Sequence, residues 1–324
     1  MTTWDHHLIT PEDMECSWNG GLGSLLAALV GTVRRDWPML EQGIQARQHA
    51  EKRAVIVGES TPLTVELFHN PARLSSVIAT PAEDAWCPLC LESVPPEEKG
   101  VAVGRNLVAL PNPAPIIRDH VVFAHREHVP QALHPCLEDL AWLAAMAGED
   151  TVLLYNGPTS GASSPYHLHL QAGRAQDLPL TGQKFPDSAS RRDTSWGSIA
   201  AVQAGGRRFL LLSMADPYRL PDACRHALGL FQPDGEFPLN LVIWRRGAIH
   251  AALFPRSRHR PSCYFLPEDQ RLVISPGSVE MAGLVVLPRR QDWQRMEPCT
   301  LQRIYREVCL DDDAWQRLLA RLSS

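Results

Sequence analysis

The sequence has no long apolar run, no excess of positive charge and no sign of a secreted disulfide framework. None of its hydrophobic stretches reaches the roughly 20 residues of a membrane span, and its N-terminal segment has no basic region followed by an apolar run. We therefore expect neither a membrane protein nor a signal peptide. The net charge of −5 and the pI of about 6.2 argue against a general binder of nucleic acid or of membrane surfaces. Eight cysteines in 324 residues without a secretion signal favour reduced thiols plus a metal site, and hence a cytoplasmic protein.

The composition is instead that of a folded protein with a sizeable core. The chain is 44% hydrophobic and 21% charged, and its length suits one large domain or two ordinary ones. Helical periodicity in the first fifty residues is followed by short β-rich runs and further helices, and residues 174–198 read as a long loop or linker. Because both halves mix strands and helices in a similar order, we predict two related α+β lobes, each an antiparallel sheet with helices.

The segment "GASSPYHLHLQAG" (161–173) places two imidazoles and an amide at alternate positions. In an extended strand His167, His169 and Gln171 share one face, and the intervening apolar residues share the other. A row of polar side chains is unfavourable to bury without a metal, a substrate or a polar network opposite it. The preceding loop, rich in Gly and Ser, can bring backbone N–H groups and hydroxyls to phosphate oxygens. The combination suggests phosphoryl chemistry by a neutral imidazole nucleophile.

A Cys-x-x-Cys turn, "CPLC", provides the second signal. Cys87 and Cys90 offer two thiolates to one tetrahedral Zn²⁺. A redox role requires a thioredoxin-like βαβ context, which the sequence does not show, and two buried thiols without a metal are the other alternative. The remaining ligands can come from the segment 161–173 or from His120, His125 and His128, of which His128 stands beyond a predicted strand end.

Together, "CPLC", "HREH" and "GASSPYHLHLQ" resemble the histidine-triad superfamily. Within it they resemble the nucleotidyltransferase branch, which includes galactose-1-phosphate uridylyltransferase, the diadenosine tetraphosphate phosphorylases and the GDP-hexose phosphorylases. The hallmark of this branch is His-x-His-x-Gln, where hydrolase relatives carry a third histidine. The resemblance covers residues 64–173 well and continues more loosely through the second half. It implies a catalytic histidine-triad-like lobe at 1–175 and a second such lobe at 176–324.

The resemblance also implies roles for individual residues. His169 would attack the α-phosphorus of a nucleotide and form a covalent nucleotidyl-histidine, and Gln171 would hydrogen-bond a phosphoryl oxygen. A structural Zn²⁺ would be held by Cys87, Cys90, His128 and His167, with His120 as the competitor of His128. Substrate contacts are expected from Asn70, Arg73, Asn112, Asn156, Gly161, Ser163 and Ser164. Tyr166 is inserted relative to the uridylyltransferase pattern, so the serine contact is open between Ser163 and Ser164.

The function that the resemblance implies is transfer of a nucleoside monophosphate from a nucleoside diphosphate-linked donor to phosphate or a phosphate ester. The donor is a dinucleoside polyphosphate or a nucleotide sugar, and the sequence fixes neither its base nor its leaving group. Two alternatives stay open, namely a hydrolase of the same donors and a zinc-stabilised nucleotide-binding protein without turnover. No nucleic-acid or membrane partner is expected. A homodimer is a possible assembly, because related proteins often pair.

Overall fold

The computed structural model describes residues 4–14, 20–78, 87–185, 190–231 and 237–323. Within these ranges no helix combines the length and the apolar character needed to cross a membrane. The helices are α1 (Leu22–Val33), α2 (Pro38–His49), α3 (Leu74–Ile78), α4 (Leu137–Met146), α5 (Pro179–Gly182), α6 (Leu220–Gly229), α7 (Ser278–Met281), α8 (Arg290–Arg295), α9 (Pro298–Val308) and α10 (Asp312–Ser323).

The strands of this part of the chain form two sheets. Their bounds are β1 (Glu51–Val57), β2 (Leu63–His69), β3 (Val101–Val103), β4 (Leu107–Pro111), β5 (Val121–His125), β6 (Thr151–Asn156), β7 (His169–Arg174), β8 (Arg192–Thr194), β9 (Gly197–Ala204), β10 (Arg207–Met214), β11 (Leu239–Arg246), β12 (Ala248–Pro255) and β13 (Leu284–Val286). The small sheet has the order β1-β2-β13, and the large antiparallel sheet has the order β3-β4-β5-β7-β6-β11-β12-β10-β9-β8.

The two halves of the chain contribute to the large sheet in the same way. Strands β3 to β7 run inward from one edge, β8 to β12 run inward from the other, and their fourth strands, β6 and β11, pair at the centre. In each half a helix, α4 or α6, connects the third strand to the fourth. The α+β class with antiparallel strands is therefore confirmed, whereas the halves share one sheet instead of forming one sheet each. A division of the chain between residues 175 and 176 stays a prediction.

Both faces of the large sheet are buried. Helices α1, α4, α6 and α10 cover one face, where Leu153 and Tyr155 point, and α7, α9 and the small sheet cover the other, where Val152 and Leu154 point. This explains why β6 is buried at every position and reads as a continuous apolar run rather than an alternating one. His169 and Gln171 lie on the second face, opposite Leu170 and the apolar layer under α4.

Three local expectations differ from the structure. The strand predicted to include His167 begins at His169, so the first histidine lies in the preceding turn. The predicted loop 174–198 contains α5 and β8 in its described part. The segment "RLVISPG" (271–277), an apolar run for which the sequence predicts a strand, has no ladder partner among the described residues, and instead runs past the loop that precedes His169.

Candidate functional site

Two cysteines and two histidines converge beside the start of β7. The ligand atoms of Cys87, Cys90, His128 and His167 all lie within 4.8 Å of one another. The Sγ of Cys90 is 3.0 Å from Nδ1 of His128 and 3.5 Å from Nδ1 of His167, and the Sγ of Cys87 is 3.4 Å from the same His167 atom. Two ligands of a tetrahedral Zn²⁺ lie about 3.5 Å apart, given metal–ligand bonds of roughly 2.0–2.3 Å. These four residues can hold a metal ion.

The hydrogen bonding and the charge of this cluster favour a cation. Nε2 of His167 is 2.7 Å from the carbonyl oxygen of His125, so Nε2 carries the proton and Nδ1 presents its lone pair to the two sulfur atoms. Burial and the neighbouring Cys87 thiol raise the pKa of Cys90 to about 11 when no cation is present. A divalent metal removes this penalty, because it stabilises both thiolates. His120 lies outside this cluster, so the structure places His128, not His120, among the four residues.

His169 is buried, and its two ring nitrogens have different surroundings. Its Nδ1 is 2.8 Å from the carbonyl oxygen of His167 and must donate to it, which leaves the lone pair on Nε2. This Nε2 is buried and has no hydrogen-bond partner among the residues that the structure describes. Burial lowers the pKa of His169, so the imidazole is neutral near pH 7. The geometry presents a neutral imidazole whose Nε2 lone pair is oriented by a fixed strand.

Gln171, two residues along the same face, is oriented by His120. The backbone N–H of Ile116 donates to Nδ1 of His120 over 3.2 Å, so Nε2 of His120 carries the proton and donates to Oε1 of Gln171 over 2.8 Å. Burial lowers the pKa of His120 to about 4, so this neutral tautomer persists across the neutral range. With Oε1 occupied, the Nε2 amide group of Gln171 is the half available to an oxygen of a ligand.

Asn156 ties the first half of the chain to the second at this site. Its Oδ1 accepts from Nδ2 of Asn240 over 2.8 Å and from the backbone N–H of Ser278 over 2.7 Å. The Asn156 amide is thereby fixed, and its Nδ2 has no partner in the described part of the chain. The hydroxyls of Ser160 and Ser278, both buried, likewise have none. Both halves thus contribute polar groups without a partner among the described residues.

The other predicted contact residues take varied positions. Gly161 has φ +101°, which favours glycine, and a Cβ there would lie 3.0 Å from Cα of Gly277 in the second half. Ser164 is buried and Ser163 is exposed, so the two serines face different surroundings. Asn70 accepts from the N–H of Ala72 as the cap of a short turn, and Asn112 accepts from the N–H of Ala114. Both asparagine oxygens are used locally.

Arg73 supplies positive charge next to these groups. Its guanidinium donates to the carbonyl oxygen of Ala114 over 2.8 Å. The charges of Arg73 and Arg47 both contribute to the lowered pKa of His120, after burial and against the hydrogen bond to Gln171. Burial lowers the pKa of Arg73 itself, although a guanidinium stays charged at neutral pH. A positive field therefore reaches the Gln171 side of the site.

The geometry can be compared with known proteins. A family model described as "Domain of unknown function (DUF4922)" matches residues 29–174, which include the Cys/His cluster, His169 and Gln171. No curated protein matches the chain in sequence. Among solved structures, yeast Ap4A phosphorylase Apa2 is similar with a TM-score of 0.53 and 15% identity, over 84% of this chain and 96% of that chain. This chain shares the Apa2 fold.

Two further structures extend the comparison. Yeast Apa2 in complex with Ap4A is similar with a TM-score of 0.52 and 16% identity, over 84% of this chain and 96% of that chain. A uridylyltransferase mutant is more distantly similar, with a TM-score of 0.37 and 12% identity over 84% of this chain and 98% of that chain. The likeness to Apa2 confirms the fold that the sequence resemblance implies.

Sequence reasoning missed several residues of this site. It treated His120 only as a competing metal ligand and gave no role to Gln131, Asn240 or Ser278. Each of these residues has at least one partner far away in sequence, from 38 positions for Gln131 with His169 to 122 positions for Ser278 with Asn156. A polar residue between apolar ones is the only local signal for Gln131 and Asn240.

Proposed function

We propose that this protein is a nucleotidyltransferase that acts through a covalent nucleotidyl-histidine on His169. The observation that carries the proposal is the state of the His169 ring. Its Nδ1–H is donated to the His167 carbonyl, and its Nε2 is buried without a hydrogen-bond partner in the part of the chain that the structure describes. A buried imidazole nitrogen without a partner is unfavourable unless a ligand meets it. The fold likeness to yeast Ap4A phosphorylase, solved also with Ap4A and with AMP, supports a nucleotide ligand.

The reaction would proceed by two displacements at the α-phosphorus of the donor. The Nε2 lone pair of His169 forms a bond to phosphorus, and the bond between phosphorus and the leaving-group oxygen breaks, so that the leaving group departs with the electron pair. An oxygen of inorganic phosphate or a phosphate ester then attacks, and the phosphorus–nitrogen bond breaks. The Nδ1 proton stays in place throughout, and its hydrogen bond to the His167 carbonyl stabilises the positive charge that the ring acquires.

Gln171 and the metal cluster would support this step without exchanging protons. The free amide N–H of Gln171 donates to a non-bridging phosphoryl oxygen, and its amide has no acidic proton for a leaving group, which favours transfer to phosphate over hydrolysis. Zn²⁺ fits the two sulfur and two nitrogen donors of Cys87, Cys90, His128 and His167, and with four protein ligands its role is structural. By holding the His167 ring, the cluster also fixes the carbonyl that orients His169.

Trapping of the intermediate tests the proposal. The protein is incubated with labelled Ap4A, GDP-hexose or UDP-hexose, quenched in alkali, and analysed for an acid-labile adduct on the chain. The wild type and a His250→Asn control should form the adduct with one of these donors, and added phosphate should release it. His169→Asn should abolish it while folding and metal content remain.

Each of the other outcomes points to a different function. Release by water as fast as by phosphate identifies a hydrolase. Tight nucleotide binding without any adduct identifies a binding protein without turnover. An undiminished adduct in His169→Asn places the nucleophile elsewhere.

A further inference from the structure

The ladder between β6 and β7 is interrupted at the residue proposed as nucleophile. Regular pairing ends with Leu154 opposite Gln171, and the next pair on this face would be Asn156 opposite His169. The side chain of Gln131 lies between the backbones of Asn156 and His169 instead. Its Oε1 accepts from the N–H of His169 over 2.7 Å, and its Nε2 donates to the carbonyl oxygens of Asn156 over 2.8 Å and of His169 over 3.1 Å.

The segment that carries Gln131 is itself anchored to the turn before β7. The N–H of Leu168 donates to the Val129 carbonyl over 2.7 Å, and the N–H of Gln131 donates to the Pro165 carbonyl over 3.2 Å. The Gln131 side chain is only 2% exposed. One amide therefore replaces ladder bonds of two strands, and it holds the strands apart where the loop 157–168 leaves the sheet.

The second half of the chain shows the same strand pair without an inserted amide. Strand β11 corresponds to β6 when their first residues are matched, and β12 corresponds to β7 when their last residues are matched. Trp244 and His250 then take the positions of Asn156 and His169. Trp244 and His250 are direct ladder partners, and the pairing continues to Arg246 opposite Ala248 at a one-residue turn, Gly247. Where no amide is inserted, β11 and β12 stay paired up to the turn.

We infer that Gln131 is a positioning residue, which holds the fork between β6 and β7 open and fixes the backbone of His169 so that Nε2 faces the transferred phosphoryl group. The inference rests on the proposed function. Replacement of Gln131 by Met keeps the volume but leaves the N–H of His169 and the carbonyls of His169 and Asn156 without their partner, so the strands shift to satisfy them. The imidazole, attached to this backbone, should then lose its orientation.

The test compares Gln131→Met with a matched control, Gln183→Met. Gln183 also donates from its amide to a backbone carbonyl of a strand, that of Thr64, but lies outside the site. Selectively ¹⁵N-labelled histidine reports the Nδ1–H of His169, assigned with His169→Asn, and the Nε2–H of His120 serves as an internal reference. The rate of adduct formation and the Kd of a nucleoside monophosphate are measured on the same proteins.

We expect Gln131→Met to shift or broaden the His169 signal while the His120 signal is unchanged, and to slow adduct formation at least tenfold with Kd changed less than threefold. A His169 signal identical to that of the Gln183→Met control, or an adduct rate within threefold of it, would overturn the inference. If Gln131→Met does not fold, Gln131→Asn replaces it, because the shorter side chain cannot reach all three partners. If the wild type forms no adduct, the proposed function fails, and the His169 signal still decides the role of Gln131.

Discussion

Replacement of His120 by Leu should expose how Gln171 is held for phosphoryl binding. The Nε2–H of His120 donates to Oε1 of Gln171 over 2.8 Å, and this bond forces the amide to present its N–H groups to the ligand. Leucine cannot form this bond, but it can occupy the buried position of the histidine. It also leaves the N–H of Ile116, which donates to Nδ1 of His120, without its acceptor. The variant should therefore lose both stability and preorganisation of Gln171.

The two losses have different sizes. A net hydrogen bond between neutral groups contributes about 0.5–1.5 kcal/mol, so unlocking the Gln171 amide should slow adduct formation roughly 2- to 12-fold. Gln171→Met removes a donor to a charged oxygen, worth about 1.5–3 kcal/mol, and should slow it roughly 10- to 150-fold. The unpaired N–H of Ile116 should reduce the free energy of unfolding by about 1–3 kcal/mol, without affecting the rate per folded molecule.

A double-mutant cycle on the single-turnover rate of adduct formation separates these effects. Because His120 acts only through Gln171, His120→Leu should have no further effect on the rate in the Gln171→Met background. The losses of unfolding free energy should add only in part, because both replacements remove the same hydrogen bond, while the loss from the unpaired N–H of Ile116 belongs to His120→Leu alone. If the rate losses multiply as for independent sites, His120 reaches the substrate by another route and the orientation argument is refuted.

Three other predictions concern the metal, the pH dependence and the junction of the halves. Elemental analysis should find one Zn²⁺ per chain, lost in Cys90→Ser but kept in Cys299→Ser, whose thiol is exposed; a folded, active, metal-free protein would contradict this. Since burial lowers the pKa of His120 to about 4, the unfolded state binds more protons below pH 6.5, and stability falls as the pH drops. In urea unfolding, protonation of this histidine in the unfolded state should lower the free energy of unfolding by about 2 kcal/mol between pH 7 and 5, and His120→Leu should remove this contribution. The same pH dependence in wild type and His120→Leu would contradict the prediction. Gly161→Ala should lower the free energy of unfolding by about 1–3 kcal/mol in the same assay, because φ is +101° and the new Cβ would lie 3.0 Å from Cα of Gly277 in the second half. Gly182→Ala, with open space around its Cβ, should leave the free energy of unfolding unchanged.

The sequence predicted the parts of the site that depend on local pattern. The Cys-x-x-Cys spacing brings Cys87 and Cys90 together through one turn, and strand alternation correctly puts His169 and Gln171 on one face. The same alternation placed His167 on the strand. In the structure it precedes β7, because its ring turns toward the sulfur atoms and its carbonyl accepts from His169. The alternation of residues along a strand cannot indicate these contacts of His167.

Interactions between distant segments could not be predicted in this way. Asn240 is a single polar residue in an apolar strand, and nothing near it indicates that its amide meets Asn156 across the centre of the sheet. The pairing of β6 with β11, which joins the two halves of the sheet, could not be predicted either, since both strands are apolar runs that could lie in separate sheets. The choice between one sheet and two depends on backbone hydrogen bonds between segments more than 80 residues apart.

The internal symmetry of the large sheet explains why one half alone is proposed to carry the chemistry. At the positions of His167, His169 and Gln171, the second half has Ala248, His250 and Ala252. The ring of His250 lies 5.4 Å from that of Trp244, and its Nδ1 is 2.9 Å from the Ser213 hydroxyl. In place of the twelve-residue loop 157–168 there is Gly247 alone. His250 therefore lacks two features that accompany His169, namely an opened strand pair and a long preceding loop, and the proposed chemistry depends on both.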